Sequence, residues 1–146
     1  MEPTEIALRL AAALLAGALI GLDREVKKRP AGLQTHALVS LGAAITMLVV
    51  AGSAGADPES RAVQGIITGI GFLGAGVIMQ YERERRVEGL TTAASIWTAA
   101  ALGMACGAGH LALAGAGLAA IILVLVAGGW IEAWLARRGL GNDEKQ

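Results

Sequence analysis

The sequence predicts an all-α fold, a polytopic membrane bundle of five transmembrane helices. Three observations carry this. The chain holds five apolar runs, at 4–22, 33–52, 62–80, 90–108 and 111–131, and a helix crossing the hydrocarbon core needs about 20 such residues. Only 16% of residues are charged, against about 25% in a soluble domain. Lys and Arg are almost confined to the short gaps between the runs. Residues 1–136 therefore read as one transmembrane domain and 137–146 as a short tail.

Span one, Thr4–Leu22, follows Glu2 and carries Glu5. It lacks the basic start of a secretory signal, and Gly21-Leu22-Asp23-Arg24 is a poor cleavage site. Glu5 and Arg9 stand one turn apart near one end, where Arg9 can snorkel to the interface. The span ends in Asp23-Arg24-Glu25. Span two opens with Gln34, Thr35 and His36, and Ser40 lies one turn after His36. A histidine there can titrate near neutrality.

Span three contains Gly69-Ile70-Gly71-Phe72-Leu73-Gly74-Ala75-Gly76, spaced like a dinucleotide-binding fingerprint. That motif requires a preceding strand and a βαβ unit, and an apolar membrane run provides neither. At 100° per residue, Ile66, Ile70, Leu73 and Val77 form one bulky stripe that suits lipid. Gly65, Thr68, Gly69 and Gly76 form a second face, and Gly71, Gly74 and Ala75 a third. Two small faces predict close helix neighbours on two sides. The other reading is a helix broken at Gly69–Gly76, whose freed backbone groups line a site.

Span four carries Thr91, Thr92, Ser95 and Thr98, of which Thr91, Ser95 and Thr98 share a face. Hydroxyls in such a span bond neighbouring helices or their own preceding turn. Span five is apolar up to Trp130 and Trp134, which with Tyr81 suit an interfacial aromatic belt.

Ten of the twelve Lys and Arg residues lie in the loops 23–32 and 81–89 and in the tail. The positive-inside rule then predicts the N-terminus outside and the C-terminus in the cytoplasm. Displacing the sequence by 57 positions aligns Gly17–Met47 with Gly74–Met104, with 11 of 31 residues identical. Gly32-Leu33-x-Thr35-x-Ala37 recurs as Gly89-Leu90-x-Thr92-x-Ala94. This predicts a parallel repeat of two helical hairpins, spans 1–2 and 3–4, with a fifth helix added.

A formal net charge of zero removes the basic footprint that nucleic acid requires. Cys106 is the sole cysteine, so no intrachain disulfide forms. No hydrolytic triad, P-loop or metalloprotease helix occurs, and no enzyme is predicted. The polar residues converge on one end of the bundle. They define a candidate cytoplasm-facing site of Asp23, Arg24, Glu25, Thr35, His36, Thr91, Thr92 and Ser95. Gly65, Gly69, Gly71, Gly74 and Gly76 are the candidate packing residues. Asp23 and Glu25 could contribute ligands to Mg²⁺, which takes one or two carboxylates and keeps its waters. The plainer reading is a solvated helix end with local ion pairs. No other cofactor is indicated.

Three stretches, GLDREVKKRPAGLQTHALVSLGAA, GIGFLGAGVIM and EGLTTAASIWTAAALG, resemble the MgtC/SapB family of bacterial membrane proteins from about Leu8 to Gly109. Asp23 stands where that family often has glutamate, and Gln34 where it often has arginine. The resemblance implies a small multi-pass inner-membrane protein, associated with growth in low magnesium, with acid stress and with virulence in some members. The first reading is a non-enzymatic modulator, surrounded by lipid and forming a homodimer, that binds other membrane proteins through its small-residue faces. The alternative is a transporter or channel for Mg²⁺ or another small solute. Many members add a soluble regulatory domain of the ACT type, and the chain reads as a short form without it.

Overall fold

The computed structural model describes residues 1–53, 57–82 and 89–138. Five helices follow one another: α1 (Pro3–Val26), α2 (Leu33–Val50), α3 (Asp57–Glu82), α4 (Leu90–Gly107) and α5 (Leu111–Arg137). Each contains a stretch long and apolar enough to cross a membrane, and no strand occurs among the described residues. The fold is the expected all-α bundle of five potential spans.

Several helices outrun their apolar segments. Pro3 and Glu5 start α1, because proline tolerates the first turn and acid complements its dipole. At the other end α1 continues through Asp23, Arg24 and Glu25, one turn beyond the apolar run. Asp57 and Glu59 occupy the first turn of α3. Between α1 and α2 the chain reverses through Lys28 and Ala31, both at positive φ. Gly32 then precedes α2 without a side-chain cap of its own.

The centre is a three-helix unit of α1, α2 and α4, with α2 held between the other two. Most of its buried residues are small: Ala13 and Ala16 from α1, Ala37, Ala43 and Ala44 from α2, and Ala99, Ala100 and Cys106 from α4, with Ile20, Met47, Ile96 and Leu102 as the larger buried members. Glycine sets the spacing. A Cβ at Gly17 would strike the His36 carbonyl and come within 2.8 Å of the Ser40 Cβ; at Gly21 it would lie 2.6 Å from the Leu33 Cα. From the opposite side, a Cβ at Gly103 would strike the Ser40 carbonyl, and one at Gly107 the Ala44 carbonyl. Both pairs have the four-residue spacing that lets membrane helices meet backbone to backbone.

Half of the apolar window of α4 is buried, against 6% in α3 and in α5. These two helices flank the central unit. Leu111 and Ala114 of α5 pack near Cys106, and Leu118, Ile121 and Leu125 pack on Ile20 and Leu102.

The helix α3 is continuous through Gly69–Gly76, so the broken-helix reading is set aside. Its orientation corrects the lipid-facing stripe. Ile66, Ile70 and Val77 are half-buried and share a side with buried Gly74; Leu73 alone of the stripe is exposed. Gly74 lies about 40° beyond the edge of that stripe at 100° per residue, and a Cβ there would meet Ala93 of α4 at 3.5 Å. The bulky residues therefore turn inward around a glycine contact. A Cβ at Gly65, Gly69, Gly71 or Gly76 would meet nothing within 4 Å. The close neighbours expected for those four are not supplied by the described residues.

The two classes of glycine should respond oppositely to a methyl group. Gly103→Ala and Gly17→Ala should each destabilise the protein by about 1–3 kcal/mol, the usual cost of overpacking. Gly69→Ala, on a face open within the protomer, should leave the monomer in detergent unchanged or more stable by up to about 1 kcal/mol, since alanine is the better helix former. Thermal unfolding of the three variants in detergent checks this; equal losses for Gly17 and Gly69 would contradict the packing described.

Candidate functional site

The end of the bundle formed by the C-terminus of α1 and the N-termini of α2 and α4 collects the polar side chains. Four of the eight sequence-derived candidates meet there in the interior. Arg24 is 5% exposed, His36 0%, Thr92 2% and Ser95 3%. Helical spacing places Arg24 on the same inner face of α1 as Gly17 and Ile20. The close approach at Gly17 and Gly21 brings the first turn of α2 against it.

The guanidinium of Arg24 donates from Nη2 to Thr92 Oγ1 at 3.1 Å. His36 is held on both sides of its ring. Nδ1 lies 3.0 Å from the Gly32 carbonyl and Nε2 lies 2.9 Å from Ser95 Oγ. Ser95 Oγ also lies 2.8 Å from the Thr92 carbonyl. One turn deeper, Ser40 donates to the Ala13 carbonyl at 2.7 Å. The sequence marks Ser40 as a neighbour of His36, and only the packing of Gly17 against Ser40, which brings the two backbones together, reveals this bond to α1. Polar contacts thus join α1 to α2, α2 to α4 and α1 to α4, where burying an unpaired polar group would be costly.

The other four candidates stand outside this cluster. Thr35 is exposed. Thr91 is exposed and, with Ser95 and Thr98, lines an apolar groove of about 290 Å³ between α4 and α5. The Thr98 hydroxyl is turned back onto the Ser95 carbonyl at 2.9 Å. Glu25 reaches across the turn, and its Oε2 accepts the backbone N–H of Leu33 at 3.1 Å. A carboxylate from α1 thereby caps α2, which Gly32 cannot do, and lies favourably at the positive end of its dipole. Asp23 pairs with Lys27 at 2.8 Å, and Lys27 also donates to the Leu125 carbonyl of α5 at 2.8 Å. Asp23 Oδ2 is buried and has no hydrogen-bond partner among the described residues.

One oxygen of each carboxylate is engaged, Glu25 Oε2 by the α2 N-terminus and Asp23 Oδ1 by Lys27. No group of three His, Cys, Asp or Glu side chains suited to a metal occurs among the described residues. The Glu and Arg residues of 83–88 lie outside those residues. At the opposite end, Arg9 pairs with Glu5 and donates from Nη1 to the Gly107 carbonyl at 2.8 Å. Its guanidinium lies under Gly109, which turns the chain at φ 88°.

A family model described as the MgtC family matches residues 10–134. Protein MgtC of Salmonella typhimurium strain LT2 is 48% identical over 120 residues, covering 82% of this chain and 49% of that protein. Protein SrpB of Synechococcus elongatus is 44% identical over 124 residues, covering 75% of this chain and 68% of its own. Protein MgtC of Brucella abortus strain 2308 is 43% identical over 115 residues, covering 79% and 48%. The chain thus spans about half the length of the MgtC relatives it matches. No solved structure matches it.

The cap from Glu25 makes a direct prediction. Glu25→Ala should destabilise the protein by about 1 kcal/mol, as loss of a helix cap does. Glu25→Gln keeps a side-chain carbonyl acceptor and should retain most of that stability. Chemical denaturation in detergent reads both; a Gln variant as weak as Ala would show that the charge, not the hydrogen bond, holds α2.

Proposed function

This chain belongs to the MgtC family, and on that premise we propose that it is a non-enzymatic inner-membrane protein that modulates other membrane proteins or ion homeostasis when magnesium is low or the medium is acid. It works as a homodimer and contacts its targets through helix surfaces within the bilayer. The observation that carries this reading is the outer face of α3. Gly65, Thr68, Gly69 and Gly76 are exposed there, beside Phe72 at 81% exposure, with no second helix against them among the described residues. In lipid, where association is driven by packing, a small-residue face of this kind favours another helix over acyl chains.

By the positive-inside count we assign the end carrying Arg24, His36, Thr92 and Ser95 to the cytoplasm. We also read the chain as two parallel hairpins plus a fifth helix. In support, Gly17 lies against His36 and Gly74 against Ala93, and both pairs of positions are related by the same displacement of 57.

The competing reading is a transporter of Mg²⁺ or another small solute. It draws on the unpartnered Asp23 Oδ2 and on ionisable groups within a potential span. Against it stands the unbroken course of α3, which leaves no freed backbone carbonyls to ligate an ion.

Cysteines placed singly at Gly65 and at Phe72 should give disulfide-linked dimers in native membranes, and Gly69→Leu should cut that yield at least about tenfold, as loss of about 1.4 kcal/mol of association would. Undiminished crosslinking in Gly69→Leu would remove α3 as the contact face. Purified protein in proteoliposomes should show no Mg²⁺ flux; flux abolished by Asp23→Asn would establish the transport reading instead.

A further inference from the structure

We propose that Nε2 of His36 is a proton-binding site whose occupancy sets the direction of the Ser95 hydroxyl, and with it the bonding between α2 and α4. The inference rests on hydrogen counting within the buried cluster and is independent of the partner-binding reading above.

A carbonyl oxygen can only accept. Nδ1 of His36, 3.0 Å from the Gly32 carbonyl, therefore carries a hydrogen in every state. That leaves Nε2 as the one ring atom whose protonation can change. Its partner, Ser95 Oγ at 2.9 Å, is also 2.8 Å from the Thr92 carbonyl. Serine has one hydroxyl hydrogen, so it can serve Nε2 or the Thr92 carbonyl, not both.

With a neutral ring, the hydroxyl donates to Nε2 and the Thr92 carbonyl loses its side-chain donor. When a proton from bulk water bonds to the Nε2 lone pair, the ring becomes imidazolium. Nε2–H then donates to Oγ, and the hydroxyl turns to the Thr92 carbonyl. No covalent bond in the protein breaks, one positive charge is gained, and both short contacts are filled at once. The same heavy-atom positions accommodate either state, so the change is one of hydrogen-bond direction.

The charged group facing the ring comes from α1: the Arg24 guanidinium, which also grips Thr92 Oγ1. From α4 the facing groups are the uncharged Thr92 and Ser95, and α2 adds no ionisable side chain beside His36. No other charged side chain among the described residues acts on it. Of the α1 carboxylates near this end, Glu25 accepts from the Leu33 N–H and Asp23 pairs with Lys27. The Thr92 residue thus takes input on its side chain from Arg24 and on its carbonyl from Ser95. Protonation of His36 alters the second of these at the first turn of α4.

The test is nuclear magnetic resonance of the full chain in bicelles, with ¹⁵N-histidine and ¹³C-carbonyl threonine labels. His110→Gln leaves His36 as the single imidazole. At high pH the spectrum should show Nδ1–H with bare Nε2. Lowering the pH should protonate Nε2, and the Thr92 carbonyl should shift with the same midpoint. Ser95→Ala should keep Nδ1 protonated and abolish the Thr92 shift, whereas Ser95→Thr, which keeps the hydroxyl, should preserve it. A bare Nδ1, a Thr92 carbonyl silent through the His36 transition, or a ring that stays neutral until the protein unfolds would each overturn the proposal. These readings come from the protein with its native Ser95, so they stand even where a Ser95 variant fails to fold.

Discussion

The backbone contact of α2 with α1 on one side and α4 on the other is the constraint from which the rest of the fold follows. A bilayer gives helices no hydrophobic reward for associating, since lipid tails are as apolar as leucine. Close packing has to supply that reward, and here glycine permits it. Gly17 and Gly21 admit the start of α2, while Gly103 and Gly107 admit its middle and end from the other side. Where those backbones touch there is room only for small side chains, which is why alanine is the commonest core residue, beside the buried Ile20, Met47, Ile96 and Leu102. Many other large residues lie at the rim, where Leu15, Leu38 and Trp97 are exposed.

The same closeness determines where polar groups can go. Ser40 reaches the Ala13 carbonyl, His36 reaches Ser95 and Arg24 reaches Thr92 because the axes are near enough for short side chains to bridge. In a region without water each of these bonds replaces hydration the group would otherwise lack. The cluster is consequently both a fastening and a place where chemistry can occur. A ring held at both nitrogens has its orientation fixed, and any change in its protonation must be answered by its neighbours.

Much of this was legible in the sequence, and the limits have physical causes. The five helices could be read from run length because a membrane sets a minimum span. The convergence of Arg24, His36, Thr92 and Ser95 could be read because alternate spans bring their polar ends to one side. What could not be read was which glycines touch. Span three is the richest in glycine, yet its glycines at 65, 69, 71 and 76 face outward, while the less conspicuous pairs at 17 and 21 and at 103 and 107 carry the packing. Periodicity identifies a face but not the element opposite it. The role of Glu25 was hidden for a similar reason. Its bond to Leu33 depends on a reversal through two residues at positive φ, Lys28 and Ala31, neither of which is a glycine that would announce the turn.

The two arginines of α1 bridge to α4 at its opposite ends. Arg9 donates to the Gly107 carbonyl at the C-terminus of α4, where an orphan carbonyl and the negative end of the dipole both favour a cation. Electrostatics accounts for that placement. Arg24 lies at the other end, with its guanidinium on Thr92 in the first turn of α4, where the dipole opposes a positive charge. It is also nearly as buried as the apolar core, so its desolvation must be offset by its hydrogen bonds. The same guanidinium ties α1 to α4 and stands beside the His36–Ser95–Thr92 chain, so one buried cation both fastens the bundle and acts on a site in which one proton more or less decides the direction of a hydrogen bond.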